Sequence, residues 1–343
     1  FEVTSLTTEQ TMEPSENLLA AAKRVWGDVS SEVKAASEPK EGSLLPVEEL
    51  RKVAKYLNHT LTKFGASATA VDSAEEAKRG LTPIAQEVIK AYTVAAGTLM
   101  SVAHGAGPSL AAELQEAGSG LAESLQALGA AVMTPSLASC TAKALQCADS
   151  LDKVSTQNRA AILRRLLKSL AMLRDANREM KEELDSADRK AADPVEVISG
   201  DEELLEDEDD LCSAFQETLQ PEERSILESV LKMSTHLEEV LKEASTSCVA
   251  SSGKPTTLDL ATLEAIVAQA TLLPGAIDTL ADCVGGVDTE ACNRSLQKLR
   301  EALPVLGHHF PSCDASTLGT LLDATQAAVA AVEAEEGADA EPA

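Results

Sequence analysis

Leu163, Leu166, Leu170, Leu173, Asn177, Met180 and Leu184 follow one another at spacings of three and four. That is the beat by which a helix gathers its apolar side chains into one narrow seam. The same beat recurs at Leu50, Val53, Leu57, Leu61 and Phe64, and again at Ile226, Val230, Met233, Leu237 and Val240. No run alternates Val, Ile, Thr and aromatics against polar residues as a half-buried strand does. Punctuation by Gly and Pro predicts helices over 15–37, 46–70, 82–103, 108–132, 135–153, 156–190, 207–219, 221–248, 257–284, 288–303 and 314–334. Pro83, Pro135 and Pro221 are expected at first helical positions, where a missing N–H costs nothing. Ser155 or Thr156 is expected to cap the helix that carries the first seam. Pro274 predicts a kink or break, since a helix-interior proline costs about 3 kcal/mol. Gly118 and Gly120 weaken the middle of 108–132.

Long helices with one stripe each, joined by short loops, describe antiparallel bundles. The expected fold class is all-α: two antiparallel helical bundles joined by an acidic linker. Nine acids between Glu196 and Asp210, beside Pro194 and Gly200, mark the clearest boundary, because like charges repel and few large apolar groups are there to bury. The expected division is a first bundle over 1–192, a linker over 193–208, a second bundle over 209–334 and a low-complexity tail over 335–343. Ala, Leu, Glu, Lys and Gln lose little rotamer freedom in a helix, and aromatics are only 2% of the chain, so composition points the same way.

Charge then narrows the function. A formal net charge of −27 repels phosphate backbones, so direct nucleic-acid binding is not expected. No uninterrupted apolar stretch of about 18 residues suggests a membrane span. The first twenty residues lack the basic-then-apolar order of a secretory signal. Seven scattered cysteines read as reduced thiols rather than a disulfide framework, which points to cytoplasm and nucleus and leaves Asn58-His59-Thr60 and Asn293-Arg294-Ser295 without meaning as glycosylation sites.

Chemistry is thin. Gly253-Lys254 lacks the upstream glycine and strand of a phosphate-binding loop, and His104-Gly105-Ala106-Gly107 reads as a turn between helices. No Glu lies three residues before any of the five histidines, which disfavours a di-iron site in a bundle core. His308, His309, Cys313 and Asp314 form the densest set of metal-ligating types, read first as an interhelix loop and second as a zinc site. Cys140 and Cys147, seven apart on one helical face, read as close packing. Ser199, followed by Asp201, Glu202 and Glu203, is a candidate phosphorylation site. Residues 159–190 invert the global charge, with nine Lys or Arg against six acids. No cofactor is expected.

In that basic stretch, Asn158, Arg159, Ala160, Ala161, Leu163, Leu166 and Lys168, followed by Arg174, Asp175, Ala176, Glu179 and Met180, resemble the motif of the GCIP family of cyclin-D-interacting proteins. Residues 209–244 look like that family's post-linker helix and 263–284 like its next one, although Gly285-Gly286 stands where the family carries an aromatic and a proline pair. The resemblance implies a non-enzymatic helical regulator with bundles similar to those of vinculin and talin. It implies as partners a D-type cyclin, a signalling adaptor or a helix-loop-helix factor, and restraint of cell-cycle progression as the outcome. Arg164, Arg165, Lys168 and Arg174 are the candidate partner contacts, with the seam from Leu163 to Leu184 buried behind them. The alternatives are a vinculin-like cytoskeletal or adhesion adaptor, and a metal-binding helical protein.

Overall fold

The computed structural model describes residues 14–34, 39–45, 47–192, 219–249, 258–282, 288–310 and 314–339. Among these the chain is helical, with no strand. The helices are α1 (Pro14–Lys34), α2 (Val47–Thr69), α3 (Ala74–Ala103), α4 (Pro108–Ala130), α5 (Leu137–Ser150), α6 (Asn158–Ala192), α7 (Pro221–Cys248), α8 (Leu260–Ala270), α9 (Leu273–Ala281), α10 (Thr289–His309) and α11 (Ala315–Asp339). They fall into two units, Phe1–Ile162 and Leu163–Ala343, divided inside α6. The acidic segment 193–208, where composition places the boundary, lies outside the described residues.

In the first unit the helices form a closed ring. α1 packs on α3 and α4, α2 on α3 and α5, and α4 on α5. α3 and α4 are consecutive, yet each packs more extensively on α1 than on the other. The seam Leu50, Val53, Leu57, Leu61 and Phe64 is buried, together with Leu81, Tyr92, Leu99, Leu110, Leu114 and Leu121. Two glycines let helices approach closely. A Cβ at Gly118 on α4 meets the Trp26 ring of α1 at 1.9 Å, and one at Gly65 on α2 meets Thr141 of α5 at 2.5 Å. Gly118 therefore seats an indole rather than interrupting α4, which runs unbroken through it. Across α2 and α5, Asn58 donates to Asp149 at 2.5 Å.

The start of α6 is a hydrogen-bonded knot. Asn158 is 1% exposed. Its Oδ1 accepts from the Gly107 N–H at 2.7 Å, while Nδ2 donates to the carbonyls of Lys40 at 2.9 Å and Gly105 at 2.8 Å. Lys40 N–H donates to Gly105 O at 2.9 Å, and Leu44 N–H to Thr156 O at 2.8 Å. Arg159 grips Glu41 with two nitrogens, at 3.1 and 2.7 Å. Gly105 has φ +109, a conformation open to glycine, and any Cβ there meets the Lys40 stem. One amide thus ties the α1–α2 connection and the α3–α4 turn to the head of α6. α6 begins at Asn158, past both expected caps: Ser155 donates its N–H to Glu113, and the Thr156 carbonyl serves Leu44.

In the second unit α7 packs on α11 and α9, and α10 on α8, α9 and α11. α6 from Leu163 runs antiparallel to α7: Arg174 pairs with Glu238 near one end and Asp188 with Arg224 near the other. Ile226, Val230, Met233, Leu237 and Val240 are all buried, as their spacing predicts. Gln220 and Glu223 form a capping box around Pro221, which sits at the expected first position. The Pro274 break is present: α8 ends at Ala270 and α9 starts at Leu273. By length and composition Leu260–Ala281 is apolar enough to cross a membrane, but half of it is buried, with Leu263, Ile266, Val267, Ile277 and Leu280 in the core.

Three prolines sit differently from expectation. Pro83 lies inside α3, which starts nine residues earlier at Ala74 under the Ser73 cap, and Pro304 lies inside α10, which continues to His309. Both are exposed, so the carbonyl each leaves unbonded is on the solvent side, and packing of the flanking turns carries the helix through. Pro135 lies in the turn before α5 rather than at its first position.

Two substitutions test the first unit. Gly118→Ala forces the indole of Trp26, the chain's sole tryptophan, out of its seat. Overpacking of about 1–3 kcal/mol exceeds the gain of about 1 kcal/mol in helix propensity. The Tm falls and the tryptophan emission shifts, whereas Gly80→Ala, with open space around it, raises the Tm. Asn158→Ala removes three hydrogen bonds, strands the Gly107 N–H and the Lys40 carbonyl, and costs about 3 kcal/mol, read from the denaturant midpoint.

Candidate functional site

The 35 residues of α6 separate by face as the seam demands. Leu166, Leu170, Leu173, Asn177 and Met180 are buried, with Ile162, Ser169 and Ala176 beside them, while Leu163 and Leu184 at the ends of the seam are half-buried. The opposite face carries Arg164, Lys168 and Arg174, all exposed, and Arg165 is half-buried at its edge. Sequence periodicity missed two members of that face. Leu167 is 49% and Met172 45% exposed. Both fall outside the three–four seam, and large apolar residues off the stripe were the signal that marks them. A shallow, open depression beside them is lined by Ala171, Met172, Arg174, Asp175 and Arg178.

The four candidate cations are not equivalent. Arg174 Nε donates to Glu238 Oε1 at 2.8 Å, Lys242 Nζ approaches the same oxygen at 3.0 Å, and Asn177 Nδ2 donates to Oε2 at 3.2 Å. Burial pushes the Glu238 carboxyl up, but the bonds from Arg174, Lys242 and Asn177 outweigh it and hold the pKa below the usual carboxylate range. Arg174 is thus engaged within the unit, as is Arg178 with Asp175. Arg159, counted in the same basic stretch, is committed to Glu41. Lys168 makes no ion pair among the described residues. Asn177 resolves its own anomaly in part: its amide nitrogen serves Glu238, while Oδ1 has no hydrogen-bond partner among the described residues.

The remaining sequence candidates are placed as follows. His308 and His309 end α10 with their rings edge to face, centroids 4.7 Å apart, and Cys313 lies outside the described residues. Among the described residues no three His, Cys, Asp or Glu side chains gather as a metal site. Cys140 and Cys147 are half-buried and free, and Cys248 is buried, its thiol donating to the Ala244 carbonyl at 3.5 Å. Cys292 is disulfide-bonded, a departure from the expectation that all thiols are reduced. Ser199 lies outside the described residues.

Residues 49–186, from the first turn of α2 to most of α6, match the family described as Grap2 and cyclin-D-interacting, N-terminal. The match includes the Asn158-to-Met180 motif and stops before α7. No curated protein matches the chain.

The C-terminal half of α6 meets a different electrostatic environment. Asp278 on α9 is raised by burial first and then by Asp282, Glu179 and Asp175; Glu183 is raised by burial and then by Glu223 and Asp282. A carboxyl whose folded pKa exceeds its unfolded one contributes stability fully below the unfolded value and loses it as pH rises through the folded one. These two groups therefore favour the fold in acid and oppose it at neutral pH. Asp278→Asn raises the Tm at neutral pH by about 2 °C. The gain vanishes below the ordinary aspartate pKa of about 3.9, as a pH series of melts shows.

Proposed function

From the match of residues 49–186 to the family described as Grap2 and cyclin-D-interacting, N-terminal, we propose that this protein is a non-enzymatic interaction regulator whose partner docks on the outer face of α6. The observation that carries the reading is the exposure of Leu167 and Met172 on the two flanks of the face that carries Arg164 and Lys168, with the depression at Ala171–Arg178 beside Met172. Large apolar side chains in solvent cost free energy unless another surface covers them, and a rim of cations selects an acidic counterpart. The partner we propose is a D-type cyclin or a signalling adaptor, as the family's description suggests, with a helix laid along α6. Restraint of cell-cycle progression and of helix-loop-helix transcription, in the cytoplasm and nucleus, is the physiological reading we attach to that capture. Cofactors have no part in it.

Within the basic set, Arg164, Arg165 and Lys168 are assigned to partner contact, while Arg174 doubles as a clasp between α6 and α7 through Glu238. The double variant Arg164→Glu/Lys168→Glu weakens capture of a purified D-type cyclin at low salt by about tenfold, and the deficit shrinks as salt rises. Leu167→Ala/Met172→Ala weakens it at all salt concentrations. Unchanged capture by both double variants, measured by surface plasmon resonance on chains with wild-type melting profiles, overturns the assignment to α6.

A further inference from the structure

A second surface is formed within the first unit, by α2 and α3. Between Arg51 and Val71 the chain holds no carboxylate, and between Lys78 and Ala103 only Glu87. In a protein with 56 acidic and 29 basic residues, that absence sets α2 and the body of α3 apart. The two helices are joined by a short connection and pack antiparallel, pinned where Lys63 Nζ meets Glu87 Oε2 at 2.8 Å. His59 and Lys90 act on the same carboxylate, so four charged or titratable groups converge at this level.

Seven residues back from Lys63 stands Tyr56, and seven on from Glu87 stands Val94. Antiparallel helices rising 1.5 Å per residue bring these two to one height, about 10 Å from the ion pair. Tyr56 is 44% and Val94 49% exposed. Gly97 follows Val94 along the same line of α3, and a Cβ built on it meets nothing within 4 Å. The face therefore presents an apolar spot with an open notch at one end and cations along the rest, with Lys55 on its flank. Lys55 and Lys90 form no ion pair among the described residues, so their charge is available to a ligand.

We propose that this α2–α3 face docks an acidic amphipathic helix of a partner protein. The occupant's apolar side chains cover Tyr56 and Val94 and enter the notch at Gly97. Its carboxylates, one to two turns further on, meet His59, Lys90 and Lys63, and one beside the apolar side chains meets Lys55 on the flank. Charge complementarity selects this occupant. A phosphate backbone or an anionic bilayer meets the field of the whole −27 chain and Glu87 at the centre of the patch, whereas a short helix with carboxylates on one edge fits between them. An exposed tyrosine beside an apolar neighbour is the side-chain type that dominates such contacts.

The test uses the full chain and a fluorescein-labelled synthetic peptide of about 15 residues, with two leucines one turn apart at one end and glutamates over the following turns. Fluorescence anisotropy at low salt shows saturable binding. Tyr56→Ala and Lys55→Glu/Lys90→Glu each weaken it by about tenfold. Gly97→Glu, which fills open space with a carboxylate, abolishes it without lowering the Tm. Arg164→Glu/Lys168→Glu leaves it unchanged, so failure here is separable from failure at α6. Absence of saturable binding up to about 1 mM overturns the proposal. So does binding that ignores the Tyr56, Lys55/Lys90 and Gly97 variants. Phosphatidylserine vesicles or duplex DNA bound in place of the peptide, and lost with the same variants, replace the helix by a polyanion and equally overturn it.

Discussion

The first unit depends on one amide. Asn158 has two N–H donors and a carbonyl acceptor, and all are used on backbone groups of two other connections. Those backbone groups belong to irregular segments, where no helix ladder satisfies them, and burying them unpaired costs about 1–3 kcal/mol each. A carboxylate offers no donor and an alkyl chain offers neither, so asparagine is dictated by the geometry. Arg159 adds the charged half of the same fastening at Glu41, nearer solvent. The opening of the motif that resembles the cyclin-D-interacting family is therefore architecture: it holds the head of α6, and α6 then presents the face on which function is proposed.

Past Ile162 the same helix enters the second unit, where its stripe does the ordinary work of core packing and its polar member is half accounted for. Asn177 sits among Leu173, Ala176 and Met180 because Glu238 on α7 is there to accept from it. Glu238 in turn stays ionised though mostly buried, because Arg174 and Lys242 share it. One cation of the basic stretch, though exposed, is thereby given a structural role. Glu183, a few residues on along α6, and Asp278 on α9 face other carboxylates instead, so they respond to pH in the direction opposite to Glu238.

Periodicity made most of the helices legible, since burial on a helix repeats every three to four residues whatever the partner. The seams at Leu50–Phe64, Leu163–Leu184 and Ile226–Val240 and the break at Pro274 follow from that rule alone. Helix ends were less legible. Pro83 and Pro304 read as boundaries because a local rule cannot know that flanking turns are packed and the freed carbonyl is wetted. Gly118 read as weakness because the residue that fills its space, Trp26, is 92 positions away in sequence. In the candidate surface, the cations were visible as a charge run, but Leu167 and Met172 were not, since exposure of an apolar residue is a property of the packed helix.

The sequence by itself determined the helical class, the apolar stripe of each long helix and the inversion of charge along α6, because these depend on spacing and side-chain chemistry within a few turns. Only the tertiary structure decided which polar groups meet: Asn158 with Lys40, Gly105 and Gly107, Arg174 with Glu238, and Lys63 with Glu87. It also decided that Tyr56 and Val94 are both left exposed. Such pairings join positions distant along the chain, and the physical reason they escape sequence reading is that chain connectivity does not encode which helix neighbours which. Closure of the ring α1–α3–α2–α5–α4 settles that order for the first unit.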